Sequence, residues 1–311
     1  MNKDILKGSG ALLIAALIWG MAFSAQKTGM RSLSPEWFTC LRSIIGFLVL
    51  IPVIYFFSRK NNKPLIPREP GSIKTLMTGG IACGVVLAFA STTQQYGLIY
   101  STAGKAGFIT TLYIVFVPIA GVFLKHKISF LVWIAAVLAL FGSYLLCSPD
   151  GSSINAGDIW LFVCALLFSI HIIVIGYFAP ATDCIKMSCV QFATTACVTG
   201  FAALIKQDEI TAGLLRDAAI PLLYCGICSS GIAFTLQIIS QKYIAGAAAS
   251  ILMSMESVFG VIGGFIFLGE KLSGKELCGC GAIFAAVILA QITPASPQHT
   301  GSSETDVPAE S

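Results

Sequence analysis

Residues 267–273 read FLGEKLS and residues 123–129 read FLKHKIS, so a closely similar stretch occurs twice, 144 positions apart. Four of the seven positions are identical. A second set of matches begins at Gly8 and Gly157 and has a spacing of 149. A duplicated hydrophobic chain is typical of transporters, many of which build a central binding site between two repeats.

The composition is that of a membrane protein. Hydrophobic residues make up 56% of the chain, charged residues only 11%, and the mean hydropathy is +0.85. A soluble domain has about 25% charged residues. The net charge of +4 is distributed over short loops and forms no basic face, which argues against nucleic-acid binding.

The 11 cysteines lie mostly within apolar stretches, where cysteine behaves as a small hydrophobic residue. Cys225 and Cys228 form a CxxC pair, but neither a second pair nor a nearby histidine accompanies it, as a zinc site would require. We therefore predict no metal site and no cofactor.

Ten apolar stretches of about 20 residues are each long enough to cross a bilayer. Inside a bilayer every backbone polar group needs an internal partner, so continuous apolar stretches of this length are expected to be helices. The sequence thus predicts an all-α polytopic membrane protein with ten transmembrane helices. The predicted spans are 8–27, 36–57, 75–96, 102–124, 129–147, 157–179, 186–205, 218–239, 246–268 and 274–293.

These spans divide into two repeats of five, residues 5–147 and 157–293, followed by a polar tail, 294–311, which we predict to be disordered and cytoplasmic. Because five is odd, the second repeat enters the membrane from the opposite side, and the two repeats have inverted topology. The joint at 58–74 has 17 residues and its counterpart at 206–217 has 12. This difference of five accounts for the change in spacing from 149 to 144.

The distribution of lysine and arginine predicts the orientation, because cytoplasmic loops are enriched in both. With the N-terminus inside, the inner loops hold 11 of these residues and the outer loops hold 6, while Arg42 and Lys105 lie within spans. The loop 58–74 supplies most of the difference. We expect a multi-pass protein of the cytoplasmic membrane with both termini in the cytoplasm.

Two stretches resemble the EamA family of the drug/metabolite transporter superfamily. Residues 241–284, QKYIAGAAASILMSMESVFGVIGGFIFLGEKLSGKELCGCGAIF, are similar to the last two helices of the family's unit. Residues 94–123 resemble its fourth helix, with the proline at Pro118. The resemblance covers residues 5–293 as two units in tandem.

One loop departs from the family's pattern, since Lys125-His126 stands where Gly-Glu is common, as it is at Gly269-Glu270. The resemblance implies a ten-helix carrier with both ends in the cytoplasm, a central cavity bounded by both repeats and, often, export of metabolites. It implies no particular substrate, because members of the family move chemically diverse compounds.

Ionisable residues inside a bilayer are costly and are therefore candidates for function. Glu256, about ten residues into the ninth span, can bind a cation or carry a proton, or can fix helix packing. Lys105, near the start of the fourth span, can attract an anionic substrate or extend to the interface. His171, midway along the sixth span, can serve a proton relay or be a satisfied packing residue.

Neutral polar and aromatic residues form a second group of candidates. Gln95 and Gln237, at similar depths in the third and eighth spans, can hydrogen-bond a substrate or tie helices together. Trp19 and Tyr113 can stack on an apolar or aromatic substrate, or face lipid. For Arg42, near the outer end of the second span, we expect a structural hydrogen-bonding role rather than substrate contact.

Three further residues are candidates for gating or packing. Pro118, late in the fourth span, removes a helix hydrogen bond and creates either a flexible point or a static kink. Gly260 and Gly264 have the GxxxG spacing that lets helices approach closely, and helices packed in this way are a plausible moving part.

These features predict a secondary transporter that moves a small organic metabolite (an amino acid, amine, nucleoside or drug-like compound) across the cytoplasmic membrane by alternating access, with export as the expected direction. The alternatives are a channel or a receptor-like membrane protein. A membrane enzyme is less favoured, because the paired-aspartate, HExxH and nucleophile-elbow motifs are all missing from the sequence. The expected partners are the substrate and the lipid bilayer, with proton coupling and a homodimer left open.

Overall fold

The computed structural model describes residues 3–62, 64–66, 69–101, 103–125, 127–147, 155–268 and 273–292, and in these ranges the regular structure is helical throughout. The repeated stretch falls partly outside them, at His126 and at residues 269–272, as does the polar tail from 293 onward. The α-helices are α1 Lys3–Gly29, α2 Pro35–Lys60, α3 Pro70–Tyr100, α4 Ala103–Thr110, α5 Tyr113–Phe123, α6 Phe130–Cys147, α7 Ala156–Phe178, α8 Cys184–Lys206, α9 Ala212–Asp217, α10 Ala219–Leu223, α11 Thr235–Gln241, α12 Gly246–Met253, α13 Met255–Leu268 and α14 Gly274–Ile292.

Eight helical stretches among the described residues are long and apolar enough to cross a membrane, and two shorter apolar helices, Phe130–Leu146 and Gly246–Ile262, bring the total to ten. The predicted all-α membrane fold with ten spans is therefore confirmed. The third helix begins at Pro70, earlier than predicted. The N–H groups of the first helical turn have no partner within the helix, so a proline there costs no hydrogen bond. The helix can therefore begin within the polar joint that precedes the apolar span.

Side-chain caps start several helices where the sequence leaves a loop. Ser34 accepts a hydrogen bond from the backbone of Trp37 and precedes Pro35 at the start of α2. Asn155 and Asp158 form a reciprocal capping box at the start of α7, which satisfies two of the backbone N–H groups that a helix start leaves free. The caps fix where these helices begin, and therefore the depth of every residue along them.

The two repeats pack against each other in matched pairs. Helix α3 of the first repeat contacts α7 of the second. The equivalent contact joins α1 to α11 and to the π-helix that precedes α11, Tyr224–Phe234. The contact of α3 with α8 is repeated by that of the π-helix with α2, and the contact of α5 with α7 by that of α13 with α1. The α2–α8 and α6–α14 pairs join equivalent helices directly. The inverted repeats thus enclose a shared core.

This matching extends to single residues. A methyl group on Gly157 would lie 2.8 Å from Cβ of Tyr100, and one on Gly8 would lie 3.1 Å from Cδ1 of Ile244. Gly8 and Gly157 are 149 positions apart, and Tyr100 and Ile244 are 144 apart. The two spacings found in the sequence therefore relate equivalent contacts in three dimensions.

Two apolar spans are broken in the middle. The fourth is interrupted at Thr111 and Leu112, between α4 and α5, and the ninth at Ser254, between α12 and α13. At the spacing of 144, Ser254 corresponds to residue 110, so the two breaks lie within two residues of equivalent positions. Pro118 lies inside α5, well past the first break. Discontinuous helices of this kind form the binding sites of many carriers with inverted repeats.

Helices α1 and α13 come close through glycine. A methyl group on Gly20 would lie 2.5 Å from the carbonyl oxygen of Glu256 and 2.8 Å from the backbone nitrogen of Gly260. Gly264 lies in the same helix, in the part whose surroundings fall outside the described residues. The approach of Gly20 to Gly260 sets the position of the first turn of α13.

Candidate functional site

A cavity lies between the two repeats, and about 540 Å³ of space in it and at its mouth, part of it open to solvent, is not filled by protein atoms. Both interrupted spans, the π-helix and helices from each repeat contribute to its wall. The ionisable and amide side chains in the wall are Gln26, Arg42, Gln94, Gln237 and Glu256. The large apolar side chains are Trp19, Phe23, Phe168, Ile172, Phe234 and Met253.

Arg42 is the cation of this cavity, and only 4% of its surface is exposed. Its Nε donates to Ser230 Oγ at 3.1 Å, Nη1 to Gln26 Oε1 at 3.0 Å and Nη2 to Ser229 Oγ at 2.8 Å. All three acceptors are neutral. Within the described residues no carboxylate forms a salt bridge with Arg42. The guanidinium is therefore positioned by hydrogen bonds but not neutralised.

Glu256 is the carboxyl group of the cavity, and 6% of its surface is exposed. It lies in the first turn of α13, where the partial positive charge of a helix N-terminus favours a carboxylate. Tyr113 donates its hydroxyl to Oε1 at 3.2 Å across the two interrupted spans. Among the described side chains no lysine, arginine or histidine forms a salt bridge with Glu256.

The cavity thus holds a guanidinium and a carboxyl group that form no salt bridge with each other. Arg42 comes from the first repeat and Glu256 from the second, so the charges belong to different halves of the protein. Trp19 Nε1 and Gln237 Oε1 also lack hydrogen-bond partners in the part of the chain that the structure describes. Buried polar groups are normally hydrogen-bonded, so these atoms are available to a ligand.

One side of the cavity wall is aromatic. The rings of Trp19 and Phe234 meet edge to face with their centroids 4.9 Å apart, and Phe23 and Phe168 line the same space. Phe234 closes the π-helix that also carries Ser229 and Ser230, the partners of Arg42. Runs of π-helix are rare and are frequently found at functional sites. Here the π-helix presents the ring of Phe234 and the hydroxyl of Ser229 to the cavity.

Four residues predicted from the sequence meet at this cavity: Trp19, Tyr113, Gln237 and Glu256. A fifth, Gln95, lies behind the wall and donates to Gln26 Oε1, the oxygen that also accepts from Arg42. Gln95 therefore positions a cavity residue without lining the cavity itself.

The two other candidates lie elsewhere. His171 is fully buried, and its Nε2 lies 3.0 Å from Oε1 of Gln191, the residue that corresponds to Arg42 in the second repeat. Lys105 Nζ forms a salt bridge of 2.7 Å with Asp158 Oδ2 at the start of α7. Neither residue lines the cavity. Each instead has a partner within the protein, Gln191 for His171 and Asp158 for Lys105.

For Arg42 the sequence favoured a structural hydrogen-bonding role over contact with a substrate. Arg42 makes structural hydrogen bonds and also lines the cavity. The signal was its depth: α2 begins at Pro35, and seven residues at 1.5 Å each place Arg42 about 10 Å along the helix. It was also the only arginine inside a predicted span, where charged residues face the bundle interior. Gln26 and Ser229 gave no comparable signal.

One end of the molecule, where α2, α4 and α7 begin and α3 and α8 end, is held together by ion pairs between the repeats. We refer to it as the ion-paired end. Lys206 of α8 binds Glu36 Oε1 of α2 at 2.9 Å, and the hydroxyl of Tyr96 contacts both groups. The buried pair of Lys105 and Asp158 lies at the same end. Each ion pair joins a residue of the first repeat to one of the second.

The described residues contain no group of three histidine, cysteine or acidic side chains that could hold a metal ion. Cys225 and Cys228 are free cysteines. The chemistry of the cavity is therefore that of hydrogen bonds, two charges and aromatic surface.

Comparison with known proteins agrees with this architecture. The model of the EamA-like transporter family matches residues 6–148 and again residues 155–291. The chain is 28% identical over 289 residues to an uncharacterized transporter of Archaeoglobus fulgidus, covering 90% of this chain and 84% of the relative. It is 22% identical to the uncharacterized transporter YoaV of Bacillus subtilis, covering 91% and 96% of the two chains. A solved crystal structure superposes with a TM-score of 0.72 at 17% identity, covering 91% of this chain and 96% of that one, which shows the shared fold alone.

Proposed function

Because this chain belongs to the EamA-like transporter family, and is thus a multi-pass membrane transporter, we propose that it is a secondary carrier that moves a small organic solute through the central cavity by alternating access. The observation that carries the proposal is the position of the cavity between two inverted repeats, with charged side chains from each. A solute bound there contacts both halves of the protein, so its binding responds to their relative motion.

The matched packing of the repeats supports alternation between two states. In an inverted repeat, each contact that closes one end has an equivalent that can close the other. We take residues 5–147 and 157–293 as the two moving units. The ion-paired end is closed by bonds that run between these units, and separation of the units at that end opens the cavity there.

The cellular setting belongs to the same proposal. The excess of lysine and arginine in the loops on one side supports cytoplasmic N- and C-termini in a cytoplasmic membrane. With that orientation the ion-paired end faces outward. We propose export as the direction of net movement, which the likeness to the EamA family supports.

Counterflow in proteoliposomes tests the carrier mechanism. Vesicles that contain the purified protein are preloaded with one unlabelled solute from a panel of amino acids, amines and nucleosides, and uptake of the same labelled solute is followed. A carrier gives saturable uptake that is accelerated by the internal solute. Failure of every solute in the panel to show counterflow, or single-channel currents in planar bilayers, would count against a carrier.

A cavity-filling variant provides the control. Met253 is buried in the cavity wall, and Met253→Trp places a larger side chain in the space for the solute. We expect counterflow to fall at least about tenfold, as a loss of about 1.4 kcal/mol or more of binding or closure would produce. The unfolding temperature of the variant in detergent shows that the fold is retained. Full activity of a folded Met253→Trp protein would place the transport route elsewhere.

A further inference from the structure

We propose that the solute is a zwitterion, a molecule with a carboxylate and an ammonium group on a small apolar skeleton. Arg42 binds the carboxylate, Glu256 binds the ammonium group, and the aromatic wall holds the apolar part. This inference rests on the proposed function and narrows it from small organic solutes in general to one charge class.

The hydrogen bonds of Arg42 leave room for a carboxylate. A guanidinium has five N–H donors, and the protein uses one each on Nε, Nη1 and Nη2. One N–H therefore remains on each terminal nitrogen, which is the number that a carboxylate bound through both oxygens requires. Charge-assisted pairs of this kind are roughly twice as strong as neutral hydrogen bonds. The unpartnered indole N–H of Trp19 is a further donor in the same cavity.

The acceptors around Glu256 suit an ammonium group. Only Oε1 of Glu256 has a hydrogen-bond partner among the described residues, the hydroxyl of Tyr113. Gln237 Oε1 is an unpartnered acceptor in the same wall. An ammonium group brings three N–H donors and one positive charge. It can therefore satisfy both acceptors and neutralise the carboxylate.

The other charge classes match the cavity less completely. A simple amine would pair with Glu256 but leave Arg42 without an anion. A monocarboxylate would pair with Arg42 but leave Glu256 to be neutralised by a proton, with Gln237 Oε1 still unpartnered. An uncharged solute such as a nucleoside would leave Arg42 without an anion. Removing one partner of a buried charge pair costs about 30-fold or more in affinity. A zwitterion of the right length is the simplest ligand that matches both charges.

The apolar residues of the wall define the rest of the ligand. Trp19, Phe23, Phe168 and Phe234 together offer ring faces and edges to an apolar or aromatic side chain. The polar groups of the wall are fewer, and the carboxylate and ammonium ends of the ligand would occupy them. An α-amino acid with a large aliphatic or aromatic side chain has this distribution of charge and apolar surface.

Matched sets of ligands test the proposal without any mutation. The first set has one skeleton with three charge patterns. Phenylalanine carries both charges, phenethylamine carries only the ammonium group, and 3-phenylpropionate carries only the carboxylate. Leucine, 3-methylbutylamine and 4-methylpentanoate form a second set. Binding to the purified protein is measured by titration calorimetry and by the rise in unfolding temperature that a ligand of the folded state produces. We expect at least one zwitterion to bind about 30-fold or more tightly than both of its singly charged relatives.

Two variants assign the charges. In Arg42→Gln the carboxylate of the zwitterion has lost its partner, so the zwitterion should bind no more tightly than the amine of its set. In Glu256→Gln the ammonium group has lost its partner, so the zwitterion should bind no more tightly than the acid of its set. Arg216→Gln is the matched control, because it removes the charge of an exposed arginine whose ion pair with Asp217 lies within one repeat and outside the cavity. Should Arg42→Gln fail to fold, Arg42→Lys keeps the charge without the bidentate geometry, and the preference for the zwitterion should shrink but persist.

Three outcomes would overturn the inference: a singly charged relative that binds wild-type protein as tightly as its zwitterion, a selectivity that persists in both cavity variants, or failure of all twenty standard amino acids to bind. Counterflow of an amine or nucleoside in any of these cases would show that the carrier proposal stands and that only the charge class is wrong.

Discussion

Glu256 shows how one side chain can serve both the solute and its driving force. The sequence indicated its depth in the membrane, and the structure adds the first turn of α13 and the hydroxyl of Tyr113. A carboxylate in a cavity can hold a proton in one state and the ammonium group of the solute in the other. Since both compete for the same oxygens, the two species would cross the membrane in opposite directions.

The proton hypothesis gives a prediction for Glu256→Gln. In proteoliposomes, an imposed pH gradient should stimulate solute movement by the wild-type protein. It should have no effect on the variant, because glutamine cannot exchange a proton. Counterflow at equal pH, measured at saturating solute, should persist. Glu276→Gln is the control, since Glu276 is an exposed carboxylate bonded to Ser273 at the start of α14. A variant that keeps the wild-type response to the gradient would refute the coupling role of Glu256.

The residues of the cavity wall were predicted unevenly, for a physical reason. Glu256, Tyr113, Trp19 and Gln237 were found because polar or aromatic groups deep in an apolar span are conspicuous. Sequence could not separate them from His171, which is as deep but pairs with Gln191. A helix that is apolar on all sides carries no amphipathic signal, so the direction in which each side chain faces is decided by packing alone.

At the scale of helices, hydropathy predicted the number of spans well, because the bilayer requires long apolar helices regardless of sequence detail. It did not predict the breaks within them. The α-helical hydrogen-bond pattern is interrupted at Thr111, Leu112 and Ser254, none of which is glycine or proline, while the backbone of Leu112 and Ser254 keeps right-handed helical dihedrals. The π-helix Tyr224–Phe234 likewise has no recognised sequence signal. These irregularities depend on contacts between helices, and they place the ends of helical segments at the cavity.

The contact of α1 with α13 gives a prediction at this scale. Gly20→Ala would place a methyl group 2.5 Å from the carbonyl oxygen of Glu256, so α13 must shift. We expect a loss of about 1–3 kcal/mol in the free energy of unfolding, the usual effect of overpacking. Denaturant unfolding in detergent measures this change. Gly10→Ala in the same helix is the control, because nothing lies within 4 Å of its added methyl group. Equal stability of the two variants would show that α1 and α13 can move apart without loss of unfolding free energy.

For the whole molecule, the two ends differ although the scaffold is nearly symmetric. At the spacings of 149 and 144, the positions equivalent to Lys105 and Asp158 are Ala249 and Ser9. Those equivalent to Glu36 and Lys206 are Ile185 and Phe57. The equivalent positions at the opposite end therefore carry no charge pair. The ion pairs stabilise one closed end by an interaction that the other end cannot reproduce at these positions.

This asymmetry predicts the effect of Asp158→Asn. The asparagine oxygen can still accept from the backbone of Asn155 in the cap of α7, but the charge that pairs with Lys105 is lost. Loss of one partner of a buried pair costs about 3–5 kcal/mol, so the ion-paired end should open more often. Hydrogen exchange should rise at the adjoining ends of α3, α4 and α7. Lys186→Gln, at the opposite end, should leave exchange there unchanged, and an unaltered exchange pattern in Asp158→Asn would argue against the asymmetry.

The unequal ends have a consequence for kinetics. A carrier whose empty form rests mainly in one state offers its site to one side of the membrane most of the time. The apparent affinity from the less visited side is lowered by the fraction of time spent facing it. The final solute gradient is fixed by the driving ions and is unaffected. The half-saturation concentrations on the two faces should therefore differ, and with the ion-paired end outward the cytoplasmic face would have the lower one.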